Sequence, residues 1–228
     1  MNDETEEQII EEIDDEFTPE ELTDLAFGMF SIFVEQHLEK KGKYLFKCVE
    51  ENKDLKDVCE KLMKEFTSEY PSLEEPLKLN GGAEEIAILY SLGEGSVPSM
   101  TIKSYWIQQG KPGVSPTLCG AEEAGKWLIF VAPEEVDDLW KKIRSATING
   151  ELGIGAKVST AKDNEDSRDD RKVIYVFTEN WEDEAEIMRV REVLKTLGVK
   201  DRIGYKRNMD TYAGEYREKG KRVTYYSV

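Results

Sequence analysis

Apolar residues recur at helical spacing in the first third of the chain and in strand-length runs in the second half. Leu22, Leu25, Ala26, Met29, Phe30 and Phe33 lie mostly three and four positions apart, a spacing that puts them on one face of a helix. Thr18-Pro19-Glu20-Glu21 ahead of them is a start signal. It combines a capping hydroxyl, a proline whose missing N–H costs nothing in the first turn, and acids facing the positive helix end. Gly42 interrupts this pattern, and a second helix is predicted from Tyr44 to Cys48 or beyond. A third starts near Asp54, with Leu55, Val58, Cys59, Leu62, Met63 and Phe66 on one stripe. These stripes suit either a small bundle packed on its own chain or a surface for a protein partner.

Residues 67–125 are rich in turn signals, among them Tyr70-Pro71-Ser72, Asn80-Gly81-Gly82, Gly93-Glu94-Gly95 and Lys111-Pro112-Gly113, where glycine and proline punctuate the backbone. Ile102 to Gln108 is predicted as a strand. From Lys126 the pattern sharpens. Lys126 to Val131 reads as a strand. Pro133 opens a helix with Val136, Leu139, Trp140 and Ile143 inward. Strands follow over Ile154–Thr160 and Val173–Phe177, then a helix from about Glu182 to Leu197 stopped by Gly198. Arg202 to Lys206 is a further strand, and Thr211 to Tyr226 suggests a hairpin turning at Lys219-Gly220. Strands joined directly to strands favour an α+β fold: a curved, mainly antiparallel sheet with helices packed on one face, preceded by an acidic helical segment. The expected division is 1–66 for the helical segment, 67–95 for an irregular connection and 96–228 for the α+β domain.

Charge reinforces that division. The chain has 228 residues and a net charge of −17. Residues 1–100 hold 26 Asp/Glu against 9 Lys/Arg, whereas residues 101–228 hold 22 of each. Phosphate contacts dominate nucleic-acid affinity, so the acidic part opposes such ligands and the neutral part does not. No apolar run reaches the roughly 18 residues of a membrane span. Three cysteines, Cys48, Cys59 and Cys119, fit no metal-ligand spacing and read as reduced thiols. An intracellular, cytoplasmic protein is expected.

Most catalytic kits are absent from the sequence. It holds no glycine-rich phosphate loop followed by Lys-Ser/Thr, and its one histidine, His37, lies on the helical stretch. No cofactor or metal is expected. Gly153-Ile154-Gly155 precedes a strand, which excludes a dinucleotide fingerprint. What remains is a set of cations on strands: Lys126 begins one, Lys157 sits inside another, Lys162 closes it, and Lys206-Arg207 end a third. A lysine placed like Lys157 serves as a phosphate ligand, a desolvated base or an edge guard against aggregation. Trp106 is either a stacking platform or a core residue.

Several blocks in order carry a family resemblance: Gly125-Lys126-Trp127-Leu128-Ile129-Phe130-Val131, Val136-Asp137 with Trp140, Gly150-Glu151-Leu152-Gly153 with Ala156-Lys157-Val158-Ser159, and Met188-Arg189-Val190-Arg191. Lys126 to Val228 resembles the basophilic-leukaemia-expressed protein family. The resemblance implies a fold like that of the translation initiation factor that binds the messenger RNA cap. Such factors sandwich a methylated guanine between two tryptophans, with a glutamate on the base edge and an arginine and a lysine on the phosphates. Here residues 119–125 offer Glu122 and Glu123 but no Trp-Glu pair, and Thr160 stands at the arginine position while Lys162 remains.

A second resemblance is to phosphothreonine lyases of bacterial effectors. It implies a phosphate-binding role for Lys126 and Arg207, a base role for Lys157, and Leu128 at the acid position. The resulting expectation is a non-enzymatic module that binds a nucleotide, RNA or phosphorylated ligand through Lys126, Lys157, Lys162, Arg207 and Trp106. A lyase-like carbon–oxygen lyase using Lys157 as its catalytic base is one alternative. A scaffold that engages a protein through the N-terminal helices is the other.

Overall fold

A computed structural model describes residues 17–164, 169–213 and 224–228. The chain divides into two compact units, Met1–Ser104 and Tyr105–Val228.

The first unit is helical. Helix α1 (Pro19–Glu39) starts as its cap predicts. The Thr18 hydroxyl accepts the Glu21 N–H at 3.3 Å, and the Glu21 carboxylate accepts the Thr18 N–H at 2.8 Å, which satisfies two otherwise orphaned donors. Helices α2 (Leu45–Glu50) and α3 (Lys56–Glu69) follow the two predicted stripes. The stripes face a common core of Phe27, Phe30, Leu62 and Phe66.

The stretch expected to be an irregular connection, 67–95, instead completes this core. It contains α4 (Glu74–Lys78) and α5 (Ala83–Ser91), which bury Leu77, Ile86 and Tyr90 fully. Its glycines are helix punctuation: Gly82 is the N-cap of α5, and Gly81 holds a positive φ of 101° in the preceding turn. The boundary therefore falls at residue 104 and not at 66 or 96. Glu94 anchors the tail of the unit. Its buried carboxylate accepts the N–H groups of Ile102 at 2.9 Å and Lys103 at 3.2 Å. Those donors are spent, so the strand predicted from Ile102 begins only at Trp106.

The second unit is one antiparallel sheet. Its strands are β1 (Trp106–Gly110), β2 (Gly125–Val131), β3 (Gly155–Ser159), β4 (Lys172–Thr178), β5 (Gly204–Arg207) and β6 (Tyr226–Ser227), in the order β1-β3-β4-β2-β5-β6. Helix α6 (Val136–Ile148) connects β2 to β3 and α7 (Glu184–Thr196) connects β4 to β5.

Alternation assigns the faces, because successive strand residues point opposite ways. Trp127, Ile129 and Val131 of β2, Ala156 and Val158 of β3, and Ile174 and Val176 of β4 share a core with Trp140 and Ile143 of α6 and Ile187, Val190 and Leu194 of α7. Both long helices thus lie on one face, as expected. Burying each such large side chain contributes about 1.5–3 kcal/mol.

The predicted hairpin from Thr211 is corrected at its start, where Thr211 and Tyr212 end helix α8 (Asn208–Tyr212). Its proposed turn at Lys219-Gly220 lies outside the described residues. The helix is held by one local ion pair and by hydrogen bonds to a distant segment. Arg207 pairs with Asp210 at i,i+3, and the Asn208 amide donates to the carbonyls of Cys119 and Ala121. Among the described residues, no helix is long and apolar enough to cross a membrane.

Candidate anion site on the uncovered sheet face

The face of the sheet turned away from α6 and α7 carries the alternate residues. The register places Gln108 opposite Lys157, Lys157 opposite Tyr175, and Tyr175 opposite Leu128, so these four form one row across β1, β3, β4 and β2. The next row holds Gly155, Phe177, Lys126 and Lys206. Trp106 and Ser159 begin the row on the other side, and Val173 and Phe130 continue it. Lys126, Lys157, Lys206, Trp106 and Tyr175 therefore share one surface.

One end of this surface is roofed. Asn208 and Thr211 of α8 accept hydrogen bonds from Lys126 Nζ at 2.9 and 3.2 Å. Residues 116–120 lie over Gly155, where a Cβ would stand 2.8 Å from Cys119 Sγ. A side chain at 155 would force that segment away. The roof leaves Lys126 and Lys206 buried and Lys157, Trp106 and Tyr175 only partly so.

Lys157 occupies the middle. Its Nζ is 4.1 Å from the centre of the Trp106 ring and 5.4 Å from that of Tyr175. The two rings stack at 5.4 Å with 30° between their planes. Lys126 Nζ lies 5.7 Å from the Tyr175 ring and 5.8 Å from Phe177. Ring quadrupoles attract cations at such distances but do not neutralise them. Among the described residues, neither Lys126 nor Lys157 meets a carboxylate.

Burial pulls the Lys126 ammonium down to about 8, helped by the like charges of Lys157 and Lys206. Burial also lowers Lys157. Both shifts have the same cause: charge moved out of water without an opposite charge to meet it. Burial raises the Cys119 thiol to about 11 despite Lys157 nearby.

Three residues expected in the site need separate accounts. Trp106 is not a core residue: it is partly exposed, stacked on Tyr175 beside Lys157. Lys162 lies past the end of β3, its Nζ 4.5 Å from the Tyr105 ring, and does not belong to the rows above. Arg207 is the clear correction. It pairs with Gly125, whereas Lys206 pairs with Lys126, so Arg207 points to the opposite face. There its guanidinium lies 4.7 Å from the Trp181 ring and 4.9 Å from Tyr225, and it grips Asp210 through two hydrogen bonds of 2.9 and 2.6 Å. Lys206 takes its place on the uncovered face. A lyase-like phosphate grip by Lys126 and Arg207 together is thereby removed, and Leu128, at the acid position, brings no proton donor.

Tyr175, Asn208 and Thr211 are neighbours that reading the sequence did not find, and Lys206, noted there among the strand cations, was passed over for Arg207. Alternation along Val173 to Thr178 carried a signal for Tyr175. The others depend on pairing between distant segments.

Residues 120–214 match the family described as basophilic leukemia-expressed protein Bles03. Among solved structures, the chain is similar to C. elegans eIF4E-3 in its complex with the 4E-binding protein Mextli and cap analog. That match has 19% identity over 54% of this chain and 68% of that chain, with a TM-score of 0.42. Schistosome eIF4E complexed with m7GpppG and 4E-BP matches at 18% identity over 54% and 69% of the two chains, with a TM-score of 0.43. Ascaris suum eIF4E-3 with m7G cap matches at 21% identity over 45% and 61%, with a TM-score of 0.35.

Proposed function

We propose that the second unit is a non-enzymatic binding module for a nucleotide or other phosphorylated ligand, held on the uncovered face of its sheet. The observation that carries this reading is the position of Lys157. Its ammonium rests against two aromatic rings, with Lys126 beside it and no carboxylate to give up. A cation–π contact is worth about 0.5–2 kcal/mol, and a hydrogen bond to a charged group about 1.5–3 kcal/mol. The two ring contacts are together comparable to one such hydrogen bond, and a phosphate oxygen adds the neutralisation of a charge that the rings leave uncompensated. Lys126, less exposed and fixed by Asn208 and Thr211, adds charge from below. The Trp106 ring then offers its face to a base, as such rings do for every base type.

The reading is tested by titrating uridine diphosphate into the wild-type protein and Lys157→Met, with folding checked by circular dichroism. The substitution removes one charge-assisted contact, so affinity should fall by about 10- to 150-fold. Equal affinities in a folded variant would sink the proposal and return Lys157 to the role of a guard on the sheet.

A further inference from the structure

Phe130 has no part in a site for a single nucleotide, yet it lies on the same face of the sheet and is 56% exposed. It is the third alternate residue of β2 after Lys126 and Leu128, and it pairs with Val173. Trp106 stands at the other end of this row, three strand spacings away, which is about 14 Å. The Lys157–Tyr175 pair lies in the adjoining row, between the two rings laterally. A base stacked on Trp106 with its phosphate on Lys157 leaves Phe130 untouched.

The Phe130 ring is also accompanied by a cation. The Arg171 guanidinium is 5.2 Å from its centre. Arg171 binds Asp169 through hydrogen bonds of 2.7 to 3.1 Å, and both side chains are about half exposed. Exposed ion pairs of this kind contribute little and exchange readily. The uncovered face thus repeats one arrangement at two places: an accessible ring with a cation against it, Trp106 with Lys157 and Phe130 with Arg171. Lys126 lies at depth one row beyond Lys157, on the side away from Phe130.

We propose that this face takes a segment of single-stranded nucleic acid, with bases stacked on Trp106 and on Phe130 and the intervening backbone phosphates on Lys157 and Arg171. The inference rests on the proposed function and extends its ligand from one nucleotide to several. Rings at intervals along a cationic surface suit unpaired bases, whose faces are free, and not a duplex, whose faces are covered. The same rings without cations would suit an apolar protein surface. Lys126 and Lys157, which meet no carboxylate among the described residues, favour the polyanion.

The test measures binding of a labelled short oligouridylate and of uridine monophosphate to the full chain and to Phe130→Ala, Phe130→Tyr and Lys157→Met. Loss of a stacking ring should weaken the oligonucleotide by about 5- to 150-fold. The monophosphate should bind Phe130→Ala as it binds the wild type, Phe130→Tyr should restore oligonucleotide binding, and a duplex of the same length should bind more weakly than the single strand. If Lys157→Met weakens both probes while Phe130→Ala weakens neither, the inference fails and the nucleotide site stands. If Lys157→Met changes neither, both fail. Failure of the wild type to bind either probe would also overturn both, and binding of a phosphopeptide instead would reassign the face to a protein.

Discussion

The two faces of the sheet hold their cations in opposite ways. On the helix-covered face, Arg191 of α7 is buried and donates to the carbonyls of Val199 at 2.7 Å and Asp201 at 2.8 Å. Arg207 is closed in by Asp210, Trp181 and Tyr225. Both guanidiniums spend their donors on their own chain. On the uncovered face, Lys157 meets no anion among the described residues and rests on the Trp106 and Tyr175 rings. A buried cation whose donors are used up is part of the scaffold. A half-buried cation with donors to spare is what the proposed site needs. Residue type does not distinguish the two cases; the inventory of partners does.

The sharpest way to break this comparison is to remove one cation from each face. Arg191→Met strands the buried carbonyl of Val199 and the partly buried carbonyls of Asp201 and Val228, and a buried unsatisfied group costs about 1–3 kcal/mol. A loss of about 3 kcal/mol or more in urea unfolding is expected, with ligand affinity unchanged while the protein is folded. Lys157→Met should do the reverse. It loses ligand as described above but shifts stability by less than about 2 kcal/mol, because the contacts with the Trp106 and Tyr175 rings are lost while the cost of holding a half-buried charge is relieved. Similar stability losses in the two variants would erase the distinction.

A second effect follows from pH. Lys126 titrates near 8 in the folded chain, against an ordinary lysine value of 10.5. Between these values the unfolded chain binds the extra proton, so the contribution of this group to stability rises with pH across that window. Anion affinity should run the other way, falling severalfold, by about 3- to 10-fold, as the ammonium is lost above pH 8. Lys126→Gln should flatten that fall in a titration at a series of pH values. A profile that stays unchanged in the variant would show that Lys126 does not face the ligand.

The smallest expected effect concerns the acidic unit. Residues 1–104 carry nearly all of the −17 net charge. The two units have separate cores, so a fragment of residues 105–228 should fold alone. Freed of that charge, it should bind uridine diphosphate about 2- to 10-fold more tightly at low salt, with the gain vanishing at high salt as screening sets in. A fragment that remains unfolded would show that the cores depend on each other. Equal affinity at both salt levels would show that the acidic unit exerts no field at the site.

Much of this architecture was legible in the sequence. The stripe from Leu22 to Phe33 and the run from Lys126 to Val131 carry periodicities that only one kind of element satisfies. The Thr18-Pro19-Glu20-Glu21 cap marked the start of α1 to the residue. Residues 67–95 misled because their glycines and prolines serve equally as linkers and as helix punctuation. Which use applies depends on whether Leu77, Ile86 and Tyr90 find a core, and that core is built by helices up to about seventy residues away in sequence. The strand expected from Ile102 failed for a similar reason, since its donors are taken by Glu94.

For the candidate site, the sequence by itself determined the inventory: lysines on strands, a tryptophan at the start of β1, no metal set and one histidine, which lies outside the second unit. Alternation then determined which residues within a strand share a face. It could not determine which strands are neighbours or in what register they pair. A shift of one residue in the β2–β5 pairing would put Arg207 beside Lys126 and turn Lys206 to the helices. The tertiary structure decided that register. With Tyr205 packed fully buried against Trp127 in the core, its neighbours Lys206 and Gly204 must face the other way, and Lys206 thereby joins Lys126 on the open face.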